Sequence, residues 1–171
     1  DYADFPVSTT DVMHVVDVTT GQPVPSQYVI VDGQTYLRIL ASNVPSVGYK
    51  VFEIKSGTGS SFSNAVIIDG NIVENDFYRI VVSNTGAITS LLDKTRGYRE
   101  FVRTINGRTI NDLGGSGGSL VVENAGSVSV TLRATSADPL AHTTRITLIR
   151  DTNRIEIRND ITENFGETLT W

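Results

Sequence analysis

The 171-residue sequence contains no cysteine, which excludes disulfides, zinc–thiolate sites and a cysteine nucleophile, and leaves stability to a packed apolar core. It has only two histidines, one tryptophan and one methionine. Positive charge is also short: 14 Lys and Arg stand against 19 Asp and Glu, a formal net charge of -5. That balance argues against a phosphate-backbone footprint and against adsorption to acidic lipid, so neither nucleic acid nor a membrane is an expected partner. No apolar run approaches the roughly 18 residues of a membrane span, and the opening DYADFPVSTTDV lacks the basic and apolar regions of a signal peptide. No N-x-[ST] acceptor for glycosylation occurs either. A soluble domain that buries about 70% of its unfolded surface is expected.

What is present is a period of two. Val128, Val130, Leu132 and Ala134 alternate with Ser129, Thr131 and Arg133, the pattern of a strand with one apolar face and one wet face. Ile146 and Leu148 repeat it against Arg145 and Thr147, and Ile155 and Ile157 against Arg154, Glu156 and Arg158. Turn pairs that tolerate positive φ separate the runs: Asp32-Gly33, Asp69-Gly70, Asn106-Gly107 and the looser Asn84-Thr85-Gly86. No window carries a sustained 3.6-residue apolar stripe, so the expected fold is an all-β, antiparallel β-sandwich. The passage Ser56 to Ser63 (SGTGSSFS) is too poor in apolar groups to bury much. It predicts a boundary between a small N-terminal β-subdomain, residues 1–60, and a larger sandwich, residues 61–171. Gly114 to Ser119 (GGSGGS) has the composition of an exposed, flexible linker.

Chemistry-bearing constellations are sparse. His14 and His142 lie far apart and lack a second ligand at metal-site spacing, so neither is read as a zinc ligand. His142, close after the Asp138-Pro139 turn, is the better candidate of the two for a function carried by a loop. The pairs Glu74 with Asp76 and Glu163 with Glu167 are conceivable as acid and base, but solvated charges at strand ends are the plainer reading. No G-x-S-x-G elbow, phosphate-cradling loop or H-E-x-x-H helix occurs. The run Arg154, Glu156, Arg158 and Asp160 places mixed charges on one strand face, either solvated or docked on another unit. Trp171 is assigned to packing rather than to a sugar ring.

The stretch Val73 to Val102 (VENDFYRIVVSNTGAITSLLDKTRGYREFV) resembles the entry to the large β-domain of glycoside hydrolase family 38, the α-mannosidase family. The resembling positions are Asn75, Thr85-Gly86, Ile88, Ser90-Leu91, Asp93-Lys94, Gly97 and Glu100. Physically they describe a hairpin, Phe77 to Val82 returning as Ala87 to Leu92 before a polar turn. Upstream, Val44 to Ile54 (VPSVGYKVFEI) is similar to a Pro-x-x-Gly-Tyr strand of that family's smaller β-subdomain, into which Gln22 to Gln27 also fits. Downstream, Asn153 to Ile161 (NRIEIRNDI) resembles a family strand of alternating charges and isoleucines.

The resemblance implies that this chain is a non-catalytic β-sandwich portion, continuing past Trp171 in family members, of a longer enzyme that hydrolyses α-mannosides. A sandwich cut short would leave an unpaired strand edge. By the same resemblance, the catalytic aspartate and a divalent metal, commonly zinc, belong to a preceding α/β domain. His14 is followed by Val15, Val16 and Asp17 rather than by the family's H-x-D spacing, so no catalytic residue, metal ligand or cofactor is assigned to this chain. The implied partners are that catalytic domain and mannose-containing carbohydrate. A rival reading is a stand-alone carbohydrate-binding or adhesion module, with Tyr78, Tyr98, His142 and Phe165 as candidate sugar contacts. A further rival, a mutarotase-like enzyme, requires His142 beside a carboxylate in a cleft.

Overall fold

A computed structural model describes residues 1–8 and 11–163. Its elements in chain order are β1 (Tyr2–Pro6), β2 (Met13–Asp17), β3 (Pro23–Val24), β4 (Ser26–Val31), β5 (Gln34–Leu40), β6 (Phe52–Ser56), β7 (Ile67–Asp69), β8 (Ile72–Glu74), β9 (Tyr78–Val82), β10 (Ile88–Asp93), β11 (Arg99–Glu100), β12 (Ser119–Ala125), β13 (Ser129–Ser136), β14 (His142–Ile149) and β15 (Ile155–Ile161), with one 3₁₀ turn at Lys94–Arg96. The all-β expectation holds: the strands form antiparallel sheets ordered β1-β5-β4, β3-β2-β6, β11-β10-β9-β8-β7 and β12-β13-β14-β15. Among the described residues no helix is long and apolar enough to cross a membrane.

Each apolar stripe finds a partner. Val73, Ile80, Val82 and Ile88 of the five-stranded sheet pack on Val130, Leu132, Ile146 and Leu148 of the four-stranded one. Val15 and Val24 meet Leu37 and Ile39 across the two small sheets. Leu40, Val128, Ile149 and Tyr2 form a third cluster where residues from both ends of the chain meet. Because strand side chains alternate, β5 sends Leu37 and Ile39 one way and Arg38 the other.

That parity overturns one expectation. The polar side of β13 and β14 is not a wet face along its length: Ser129, Thr131 and Thr147 are buried. Gln27 and Arg38 of the β1-β5-β4 sheet reach Ser129 across it. Around Ser129 the face is a polar joint between sheets, and farther along it Arg133 and Thr135 meet water.

The predicted turns form as expected. Asp32 and Gly33 connect Val31 to Gln34 with positive φ at both positions, and Asn106-Gly107 sits inside the Ile105–Arg108 bridge. Gly86, at φ +90°, closes the β9–β10 reversal where a Cβ would lie 2.6 Å from Thr144 Cβ. The Gly114–Ser119 run differs from a free linker. Ser119 opens β12, Ser116 N donates to Asp138 Oδ2 at 2.8 Å, and a Cβ on Gly115 would stand 1.8 Å from the Asp138 carbonyl oxygen. Its glycines allow close backbone approach.

A second correction concerns Val44 to Ile54, whose strand begins only at Phe52. Residues 44–51 are a loop that exposes Val47 and Tyr49. Pro45 lacks a ladder donor and Asn43 adopts positive φ, while Lys50 is tied down to Asp17 at 2.9 Å.

Candidate functional site

A polar cleft of about 320 Å³ opens between the β1-β5-β4 sheet and the β12–β15 sheet. Arg38 stands at its base, 5% exposed. Its Nε and Nη2 donate to both carboxylate oxygens of Asp4 at 2.8 and 2.7 Å, and its Nη1 donates to Ser129 Oγ at 3.0 Å. The Tyr2 ring covers the guanidinium, with Cζ 3.9 Å from the ring centroid, and the Tyr2 hydroxyl donates to Glu156 Oε2 at 3.0 Å. Burial raises the Tyr2 phenol above its ordinary value; Arg38 opposes that and the Glu156 carboxylate adds to it. For Arg38, burial acts to lower the pKa, and the hydrogen bonds and charge of Asp4 outweigh it, so the group is held above its ordinary value.

The opposite wall is built in the same way. Arg145, in the middle of β14, donates through Nε and Nη2 to Glu123 at 2.8 and 3.1 Å and through Nη1 to Asp160 Oδ2 at 2.7 Å. Arg158 donates to Asp160 at 2.9 Å and to Asp32 at 3.0 Å, and its bonds to those two carboxylates, Asp32 first, raise its pKa. Thr131 and Thr147 hydroxyls pair at 2.8 Å between them. Asn124, at the β12 bulge, accepts from Ile30 N at 3.0 Å and donates to Ile30 O at 3.3 Å, so a side-chain amide splices the edge of β4 to β12. Of the two sequence readings for the Arg154–Asp160 charges, docking describes Glu156 and Arg158: their partners Tyr2 and Asp32 lie in the first 40 residues. Asp4 and Glu123 each accept two bonds from one guanidinium, and Asp160, Asp32 and Glu156 accept single bonds from arginine or tyrosine donors, an arrangement that fixes strands in register and leaves little room for a proton-transfer role.

The positions carrying the family resemblance are also structural in geometry. Asn75 is buried; its Oδ1 accepts from Phe77 N and Tyr78 N at 2.9 and 2.8 Å, and its Nδ2 donates to Ile149 O and Thr152 O, each at 3.3 Å. Asp93 caps the 3₁₀ turn through Thr95 N, and Gly97 at φ 67° ends it. Hydrogen bonds from Thr95, working against burial, hold the Asp93 carboxyl below the usual range. Lys94 bonds Glu74 at 2.8 Å and Asn75 O at 2.9 Å, and Glu100 accepts from Ser90 Oγ, Leu91 N and Val102 N. Glu74 is thus paired with Lys94 and Arg79 while Asp76 is exposed. Of the other carboxylate pair, Glu167 lies outside the described residues.

The predicted sugar contacts have different local settings. Tyr78 is half-buried against the main core, and Tyr98 is exposed at φ 60° beyond the 3₁₀ turn. His142 is buried as the first residue of β14, with Nδ1 2.8 Å from Leu140 O and Nε2 3.2 Å from Thr85 O. Phe165 and Trp171 lie outside the described residues. Among the described residues no three His, Asp or Glu side chains are placed to hold a metal ion. What sequence reasoning missed is the cleft itself: Tyr2, Arg38, Glu123 and Arg145 are far apart in the chain, and only the parity of Arg38 against Leu37 and Ile39 hinted that β5 faces a polar neighbour.

No family model matches the sequence, and no curated protein matches it. Among solved structures, an alpha-mannosidase from Enterococcus faecalis V583 shares the fold, with a TM-score of 0.54 and 14% sequence identity over 91% of this chain. The matched region is 25% of that protein, so the chain spans about a quarter of its length.

Proposed function

We propose that this chain is the β-sandwich region of an α-mannosidase-type glycoside hydrolase, of the family 38 kind, serving as frame and as one wall of a substrate cleft whose catalytic groups come from another part of the polypeptide. The observation that carries the reading is the fold likeness, which takes in 91% of this chain and a quarter of a known α-mannosidase. The engagement of Asp4, Glu123, Glu156 and Asp160 in ion pairs and hydrogen bonds supports it from the chemical side. In this reading residues 1–60 form a small subdomain and residues 61–171 part of the large sandwich, and the partners are a metal-bearing catalytic domain and mannose-containing glycan. Retaining hydrolysis requires two carboxyl groups about 5 Å apart flanking the scissile bond; here the catalytic domain supplies them.

The test is hydrolysis of 4-nitrophenyl α-D-mannopyranoside by the polypeptide encoded by the complete reading frame, beside the 171-residue chain alone. The reading expects turnover by the first and none by the second. Turnover by the short chain, or a complete polypeptide inert toward α-mannosides, defeats it.

A further inference from the structure

Outside the cleft described above, the loop of residues 44–51 overhangs a second depression of about 560 Å³, formed with the β2–β3 turn. Tyr49 forms its rim at 84% exposure, and among the described residues its ring meets no cation and its hydroxyl no partner. The polar groups beneath it belong to Thr19, Thr20, Gln22, Asn43 and Lys50.

The hollow is rigidly built. Asp17, buried, accepts from Lys50 Nζ at 2.9 Å and from Thr19 N at 2.9 Å, and Lys50 also donates to Ser42 O at 3.0 Å. Backbone bonds from Asp17 N to Gln22 O, Gly21 N to Asp17 O and Val18 N to Val51 O close the floor and the base of the loop at 2.9, 2.8 and 3.1 Å. Tyr49 thus presents its ring to water from a loop fastened at Lys50 and Val51, and a site held in place avoids the ordering cost of binding. The single cation at the floor is matched by Asp17, so the hollow offers hydroxyls and amides without net charge.

We infer that this depression is a binding site for a neutral pyranose sugar, one face of whose ring stacks on Tyr49 while its hydroxyls meet Asn43, Gln22 and the threonines. The ligand class follows from the chemistry: a flat apolar surface beside neutral donors and acceptors matches a ring with one C–H face and a hydroxyl rim. Such a site is separate from the cleft around Arg38 and goes beyond the scaffold role.

The test is NMR titration of the 171-residue chain with methyl α-D-mannopyranoside, a mannotriose and methyl β-D-glucopyranoside at millimolar concentrations. At least one of these sugars is expected to shift the Tyr49 ring resonances. Tyr49→Ala should weaken that binding about tenfold by removing the stacked ring, and Tyr49→Phe should restore it. The exposed position leaves folding of both variants intact, which their unfolding curves check. If none of the three sugars perturbs Tyr49, or if the alanine variant binds as the wild type does, the inference is overturned. Only binding to this chain is read, so the result does not depend on whether the complete polypeptide hydrolyses α-mannosides.

Discussion

Replacing Arg38 with Met keeps most of the side-chain stem and removes the donors given to Asp4 and Ser129. Removing one partner of a buried ion pair costs about 3–5 kcal/mol, because the other charge is stranded. Asp4 retains 23% of its side-chain exposure against 6% for Arg38, so water partly rehydrates the orphaned carboxylate and about 2–3 kcal/mol is expected. At roughly 2–4 °C per kcal/mol for a chain of this size, Tm falls by about 4–12 °C. Asp4→Ala strands the more deeply buried partner and should cost more, about 3–5 kcal/mol. In the double variant the two losses should fall short of their sum by about 1–2 kcal/mol, since both remove one interaction. Urea unfolding followed by far-UV circular dichroism measures all three. A loss below about 0.5 kcal/mol for Arg38→Met, the range of ordinary surface changes, or strict additivity, would refute the claim that this cross-strand pair of β1 and β5 holds Arg38 in place for its bond to Ser129 of the β12–β15 sheet.

Two further outcomes follow from the same geometry. Asn75→Ala leaves two backbone N–H groups and two carbonyls short of a partner beside a core, and a loss of about 2–4 kcal/mol is expected in thermal unfolding. The Lys50 hydrogen bond, working against burial, holds the Asp17 carboxyl below its ordinary value, so its contribution to stability is present above the unfolded pKa and is lost as pH falls through the folded one. The gap in urea midpoint between wild type and Asp17→Asn should therefore be widest near neutrality and shrink below pH of about 4; a gap that stays constant into acid contradicts the assignment.

Much of the frame was legible because it is local. Alternation placed β13, β14 and β15, and Asp32-Gly33 and Asn84-Thr85-Gly86 marked reversals, since a period of two and a positive φ are properties of neighbouring residues. The resembling positions Asn75, Asp93, Gly97 and Glu100 proved to be turn and cap residues. What stayed hidden depends on partners distant in the chain. Ser129 and Thr131 read as wet because their cover, Gln27 and Arg38, lies about a hundred residues upstream. Arg145 read as part of a wet face because nothing local shows that β12, which carries Glu123, and β14 flank β13 in one cross-strand set. Pro45 to Tyr49 read as strand from its likeness, while its own proline and the tether at Lys50 make it a loop. The burial of His142 and the exposure of Tyr98 were equally out of reach, since burial of a single aromatic or imidazole is decided by packing.

In the proposed scaffold role the acids of the central cleft hold strands and sheets in place, Glu123 within its sheet and Glu156 across to Tyr2, and take no part in bond cleavage. The most direct measurement is α-mannoside hydrolysis by the complete polypeptide carrying Glu123→Gln or Glu156→Gln, read at a temperature where both variants remain folded. The account predicts kcat within about twofold of wild type together with a Tm lowered by a few degrees, the trace of a weakened ion pair. A fall in kcat of about 10²–10⁴ with the fold intact is the mark of a lost general acid or base, and it would contradict the account.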